Sequence, residues 1–138
     1  MKPNTRCIFA ICFVLAYMAI VSAAFDTVTL DVPHGANEAT WRDAMAEQWG
    51  GQTEVVIPFG RIDVETDDCV VELDFAKKWT ECFGQTLFYA DFRAGKQGVM
   101  ALIYPEGVSD KDKEKLQYIE KLAKKYDVRV VVLIKGEK

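Results

Sequence analysis

Residues 69–75 read Cys-Val-Val-Glu-Leu-Asp-Phe, and this run constrains the fold more than any other stretch of the chain. A strand turns successive side chains to opposite faces, so Val71, Leu73 and Phe75 share one face and Glu72 and Asp74 the other. The apolar face needs a core partner. The two carboxylates need water, a hydrogen-bonding partner or a cation, because an unpaired charge inside an apolar sheet is costly. A strand of this kind belongs in a sheet covered by helices, with its acidic face opening onto a cleft.

The flanking sequence supplies those partners. Asn37 is a helix cap, and Trp41, Met45 and Trp49 recur every four residues before Gly50-Gly51, which predicts a helix over 37–49. Strand-like runs at 53–59 and 61–66 precede the run at 69–75, with tight turns at Gly60 and at Asp67-Asp68, the pattern of an antiparallel meander. A helix over 76–90 carries Trp79, Phe83, Leu87 and Ala90 at spacings of four, four and three residues. Residues 98–104 form a further strand, 110–126 a helix with a core stripe of Leu116, Ile119, Leu122 and Ala123, and 128–134 a last strand of nearly unbroken apolar character. Residues 24–36 read as a linker or a short strand. The order α-β-β-β-α-β-α-β predicts a three-layer α/β/α domain over 37–138 with a mixed sheet, its last two strands joined in parallel by right-handed crossovers.

The N-terminus has a different character. Lys2 and Arg6 precede the uncharged apolar run 7–21, and Ser22-Ala23-Ala24 follows it: the pattern of a secretory signal peptide over 1–23, cleaved near Ala23. The run is shorter than the roughly 20 residues of a membrane-spanning helix. The expectation is a secreted or periplasmic protein with no stable membrane association after cleavage; an uncleaved anchor is the alternative. Cleavage takes the net charge from −4 to −6 by removing Lys2 and Arg6, which excludes bulk electrostatics as the means of gripping nucleic acid. Cys69 and Cys82 remain, as a disulfide or as two buried thiols. The single histidine, His34, follows Pro33 in a loop, so neither a Ser-His-Asp nor a Cys-His arrangement is available.

A hairpin turn at 67–68 brings Asp63 beside Glu72 or Asp74. Clustered carboxylates repel one another unless a cation intervenes, and hard oxygen donors with no histidine or thiolate pair favour Mg²⁺ or Mn²⁺. Lys78, one turn into the helix, can orient or deprotonate a water and offset charge on a phosphate. Each residue also has a plainer role. Asp74 can cap the helix, Lys78 and Glu81 can form a surface pair, and Gln85 and Tyr89 can lie half-buried on the sheet. Glu72 is the hardest to explain in that way, because its strand is otherwise apolar.

Taken together, Gly60-Arg61-Ile62-Asp63, Glu72-Leu73-Asp74-Phe75-Ala76-Lys77-Lys78 and Gln85-x-x-x-Tyr89 resemble the active-site segment of the PD-(D/E)XK nuclease superfamily. The resemblance implies a restriction-endonuclease-like αβββαβ core, extended here by a C-terminal helix and strand. It implies Asp63 and Glu72 as metal ligands, with the Leu73 carbonyl as a third. Gln85-x-x-x-Tyr89 is similar to the helix motif of the RecB-like branch, which makes Gln85 a catalytic or water-positioning residue and Tyr89 a substrate-positioning one. Glu38 is the first-helix acid, with Glu47 as second candidate. The family pattern places lysine where this chain has Asp74. Lys78 takes the part of a lysine displaced onto the following helix, and Asp74 becomes a third acidic ligand or a spectator. The implied function is an exported, Mg²⁺- or Mn²⁺-dependent nuclease acting on DNA or RNA. The alternative is a non-catalytic exported binding protein on the same fold.

Overall fold

The structure, a computed structural model, describes residues 25–137; the export-signal expectation for 1–23 lies outside them. Six strands form one mixed sheet in the order β1-β6-β5-β4-β3-β2. They are β1 (Thr27–Leu30), β2 (Gln52–Ile57), β3 (Gly60–Glu65), β4 (Cys69–Phe75), β5 (Gln97–Ile103) and β6 (Val128–Lys135). The helices are α1 (Glu38–Trp49), α2 (Trp79–Phe92), entered through a 3-10 turn over Ala76–Lys78, and α3 (Asp110–Lys124). The segment 24–36, read as linker or strand, contains β1, which pairs in parallel with β6 at the sheet edge.

Local chemistry accounts for the boundaries. The Asn37 side chain accepts from Thr40 N–H at 3.0 Å, capping α1, and Gly50 closes that helix with φ of 68°. Ser109 caps α3 by accepting from Asp112 N–H. Antiparallel pairing joins β2 to β3 and β3 to β4, whereas β4, β5 and β6 run parallel through α2 and α3.

The two faces of the sheet have separate cores. Val71 and Leu73 of β4, Val99, Ala101 and Ile103 of β5, and Val131 and Leu133 of β6 meet Trp41, Met45 and Ala46 of α1. Met100 and Leu102 of β5 and Val130 and Val132 of β6 meet Cys82 of α2 and Leu116, Ile119 and Ala123 of α3. One helix on one side and two on the other give the three-layer α/β/α arrangement. The alternation along β5 and β6 explains their continuous apolar sequence, since both faces are covered. Cys69 packs on the α1 side and Cys82 on the α2 side, so the sheet separates the two free thiols. Among the described residues no helix is long and apolar enough to cross a membrane.

Candidate functional site

The face of β4 that carries Glu72 and Asp74 looks toward α2, and there the sheet opens. Its β3–β4 ladder pairs Glu65 with Val70 and Val64 with Val71, then stops. Continued by one step, it would set Asp63 opposite Glu72. Side chains replace the missing backbone bonds: Asp63 N–H donates to Glu72 Oε1 at 3.2 Å, and Leu73 N–H donates to Asp63 Oδ2 at 2.9 Å. Each carboxylate thus satisfies an amide that the splayed ladder leaves without a carbonyl.

On its other side Asp63 disturbs the sheet as well. Pairing of β2 with β3 includes Thr53 with Val64 and Val55 with Ile62, but skips the pair between them, Glu54 with Asp63. Glu54 adopts φ of 54°, a left-handed conformation uncommon for a side-chain-bearing residue and costly within a strand. Its carboxylate accepts from Arg42 of α1 at 2.8 Å and pairs with Arg61 at 3.2 Å. Ile62 and Val64 accordingly fall into different apolar clusters although only Asp63 separates them. The strand twists at the residue that bears the carboxylate.

Around this break lies a cavity of about 270 Å³ lined by Glu38, Arg61, Asp63, Glu72, Leu73, Asp74, Lys78, Glu81, Gln85 and Tyr89. The fold therefore gathers Asp63 of β3, Glu72 and Asp74 of β4, Lys78 of the 3-10 turn, Gln85 and Tyr89 of α2, and Glu38 of α1 around one space. Glu47, the second first-helix candidate, is exposed near the far end of α1 and does not line it. His34 is likewise remote from the cavity lining.

Electrostatics set the character of the cavity. Glu72 is 4% exposed, and its carboxyl is pushed up to about 9, first by burial and then by the charge of Asp63. Burial also raises Asp63, against the opposing hydrogen bond from Leu73 N–H. Glu38 is raised by burial, then by Asp74 and Asp63. Asp74 does not cap the helix. Its Oδ1 accepts from Phe75 N–H at 2.8 Å and pairs with Lys78 Nζ at 3.4 Å, so Asp74, rather than Glu81, is the partner of Lys78. That pairing raises the Lys78 ammonium above its usual range and keeps it cationic.

Tyr89 and Gln85 behave differently from each other. The Gln85 side chain is exposed to the cavity, whereas Tyr89 is buried and its hydroxyl oxygen accepts from Arg61 N–H at 3.1 Å. The Tyr89 ring lies against the backbone of Gly60, where an added Cβ would approach Cε1 to 2.6 Å. Tyr89 thus braces the hairpin that delivers Arg61 and Asp63. Arg61 received no role from the sequence, although it shares a strand face with Asp63 by the two-residue period. Glu54 and Arg42 carried no local sequence signal at all. Cys82, beneath the site, donates from Sγ to the Glu72 carbonyl at 3.4 Å, and burial pushes its thiol well up.

Among the described residues no three carboxylate, imidazole or thiolate groups are gathered closely enough to hold a cation as they stand. Asp63 and Glu72 instead direct oxygens onto backbone amides. The donor set nonetheless has the chemistry of a hard divalent ion. Half-buried Asp63 and buried Glu72 offer only oxygens, and neither has a cationic partner in hydrogen-bond contact.

Comparison with known proteins identifies a viral relative. The chain is 32% identical over 91 residues, 66% of its length, to a protein of Acanthamoeba polyphaga mimivirus named for a KilA-N domain. The aligned stretch makes up 35% of that viral protein, so the chain matches about a third of its relative's length. No family model matches the chain, and no solved structure matches it.

Proposed function

We propose that the protein is an exported metal-dependent phosphodiesterase that hydrolyses nucleic acid at the cavity between β3, β4 and α2. One observation carries this reading. Asp63 and Glu72 face each other where the ladder between their strands ends, in a cavity that also holds a lysine and a glutamine. A purely structural role accounts poorly for a carboxyl buried in that strand beside a second one, since burial and the charge of Asp63 raise the Glu72 carboxyl to about 9.

In this reading Asp63 and Glu72, with the Leu73 carbonyl beside them, hold Mg²⁺ or Mn²⁺. When bound, the ion supplies charge for a phosphate oxygen and acidifies a water. Lys78, held cationic by Asp74, neutralises charge developing on the phosphate and orients the attacking water rather than removing its proton. Gln85 offers both a donor and an acceptor to that water or to the strand. Glu38, whose carboxyl is raised by burial, is the group placed to carry a proton. Arg61, held by Glu54 at the cavity mouth, meets the neighbouring phosphate. The departure from the superfamily pattern at Asp74 then exchanges a strand lysine for an Asp74–Lys78 pair reaching the same space. The basic-then-apolar sequence at 1–23 places the enzyme outside the cytoplasm in this reading.

The test is cleavage of end-labelled DNA and RNA, single- and double-stranded, in Mg²⁺ or Mn²⁺. Wild type and Glu47→Gln should cleave, and Asp63→Asn and Glu72→Gln should not. Cleavage that persists in both site variants refutes the assignment. No cleavage of any substrate, with no heat of Mg²⁺ or Mn²⁺ binding, favours the non-catalytic binding protein instead.

A further inference from the structure

The hairpin between β2 and β3 ends in a two-residue turn, Pro58-Phe59, closed by the Ile57–Gly60 pair. Phe59 has φ of 69°, which gives the order of a type II turn: proline, then a left-handed residue. Glycine is the residue that geometry favours, because an L side chain costs about 1 kcal/mol or more there. Yet this position carries a phenylalanine whose surface is 96% exposed. An aromatic ring in water, on a backbone that would be more stable without it, contributes nothing to the fold. Its exposure leaves the ring open to a partner outside the chain.

Its surroundings say what kind of partner fits. Val56, 79% exposed, pairs directly with Arg61 and so shares its face of the hairpin. Arg61, with its side chain 59% exposed, both lines the cavity and lies two residues from the tip. Arg61 pairs with Glu54 at 3.2 Å, while Arg42, which also contacts Glu54, has Asp43 at 3.0 Å, so Arg61 sets one guanidinium two residues from the aromatic ring in an otherwise acidic protein. From Phe59 to Asp63 the extended strand covers roughly 13 Å. Tyr89 fixes that span, since it covers Gly60 and accepts from Arg61 N–H. A flat ring, a guanidinium and a catalytic cavity on one rigid strand match a base, its phosphate and the bond to be cut.

We infer that the hairpin tip is a base-stacking platform: Phe59 stacks on an unpaired base of a single-stranded nucleic acid, and Arg61 grips the adjoining phosphate at the cavity mouth. This rests on the phosphodiesterase reading for the fate of the phosphate, but not for the binding itself. Stacking tolerates any base because each has a π-face. It also requires that the base be out of a duplex, so the platform selects single strands, frayed ends or loops. Arg61, with its side chain more than half exposed, supplies one cation for that phosphate.

The experiment measures fluorescence anisotropy of the full chain with a labelled 12-nucleotide oligo(dT) strand, and with a mixed-sequence duplex of equal length, in Ca²⁺. Wild type should prefer the single strand. Phe59→Ala and Phe59→Gly should each weaken single-strand binding roughly ten-fold. Phe59→Trp should retain it, Phe59→Leu should behave like Phe59→Ala, and duplex binding should not move. The turn geometry makes Phe59→Gly a stringent control, since it should fold at least as stably as wild type while losing affinity. Affinity unchanged in Phe59→Ala, or kept in Phe59→Leu, overturns the platform. So does sedimentation showing a dimer that Phe59→Ala abolishes, which would make a second copy the occupant. Cleavage in Mg²⁺ by a wild type whose affinity ignores Phe59 removes the platform and leaves the phosphodiesterase standing. Binding that depends on the aromatic ring, with no cleavage in Mg²⁺ or Mn²⁺, has the opposite meaning.

Discussion

Replacing Glu72 by glutamine should stabilise the metal-free protein at alkaline pH, an uncommon outcome for a substitution at a buried strand position. Glutamine keeps the acceptor that Asp63 N–H uses at 3.2 Å and turns a donor toward the Asp63 carboxylate. It also removes a group that burial and Asp63 push from 4.5 to about 9. The direction follows from proton linkage. Between those two values the native protein retains a proton that the unfolded chain has released, so stability falls as pH rises through the interval. Each pH unit costs at most ~1.4 kcal/mol for one retained proton, or ~2.7 kcal/mol between pH 6 and pH 8. Water entering through the cavity mouth lowers the effective penalty, and about half that value is the working expectation. For a domain of this size, that loss corresponds to a fall in Tm of about 5 °C. Thermal unfolding followed by circular dichroism in EDTA should therefore show wild type losing stability from pH 6 to pH 8 relative to Glu72→Gln. Saturating Mg²⁺ should reverse the order at pH 8, adding ~2.7 kcal/mol to wild type at a hundred times its Kd and little to the variant. Parallel pH profiles for the two proteins in EDTA, or a variant less stable than wild type throughout, would refute the reasoning.

Other consequences can be measured separately. Cleavage should rise with pH between 6 and 9, because metal binding requires the Asp63–Glu72 pair to release its proton; a flat initial-rate profile over that range counts against metal binding there. Lys78→Met should lower kcat by a hundred-fold or more and leave Tm unchanged, with Lys78→Arg recovering part of the rate; an unchanged kcat removes Lys78 from the mechanism. Gly60→Ala should destabilise the fold by ~1–3 kcal/mol in urea unfolding, since the new methyl meets the Tyr89 ring at 2.6 Å, and Tyr89→Phe should cost about 1 kcal/mol through the lost bond to Arg61 N–H. Glu54→Gly should relieve the left-handed strain yet raise KM, because Arg61 loses its anchor; an unchanged KM in Glu54→Gly would mean Arg61 does not meet substrate.

Much of this arrangement is legible in the sequence, because the periodicities that bury β5, β6, α1 and α3 are local. Asn37 and Ser109 announce helix starts by the same chemistry that caps them, and the tight turns of 60 and 67–68 fold the meander. The two-residue alternation in 69–75 is enough to put Glu72 and Leu73 on opposite faces. Pair contacts are less accessible. Nothing within four residues of Lys78 tells whether it will pair with Asp74 or with Glu81; the 3-10 turn over Ala76–Lys78 decides, by bringing Nζ back along the chain. Tyr89 resembles a substrate-facing residue by its spacing from Gln85, but the helix is long enough to carry its hydroxyl to a backbone amide 28 residues earlier.

The interruption of the sheet at Asp63 is the least accessible feature, because it is a relation between three strands. Glu54 has no glycine to advertise its left-handed backbone. Val64 and Val71 pair normally one step before Asp63 and Glu72 fail to do so. An uninterrupted ladder would have bonded the amides of Asp63 and Leu73 to carbonyls and left both carboxylates to face each other with no donor. The break gives each carboxyl one amide to accept from, enough to keep the pair in a cavity with a proton held on Glu72, whose carboxyl is pushed up to about 9. A site so arranged retains a proton, and in the metal-dependent reading proposed above it would exchange that proton for a cation. The same twist turns Arg61 and the β2–β3 hairpin toward the cavity mouth. A straight β3, favoured for instance by Glu54→Val, whose branched side chain resists the left-handed backbone, should therefore lose substrate grip and metal affinity together.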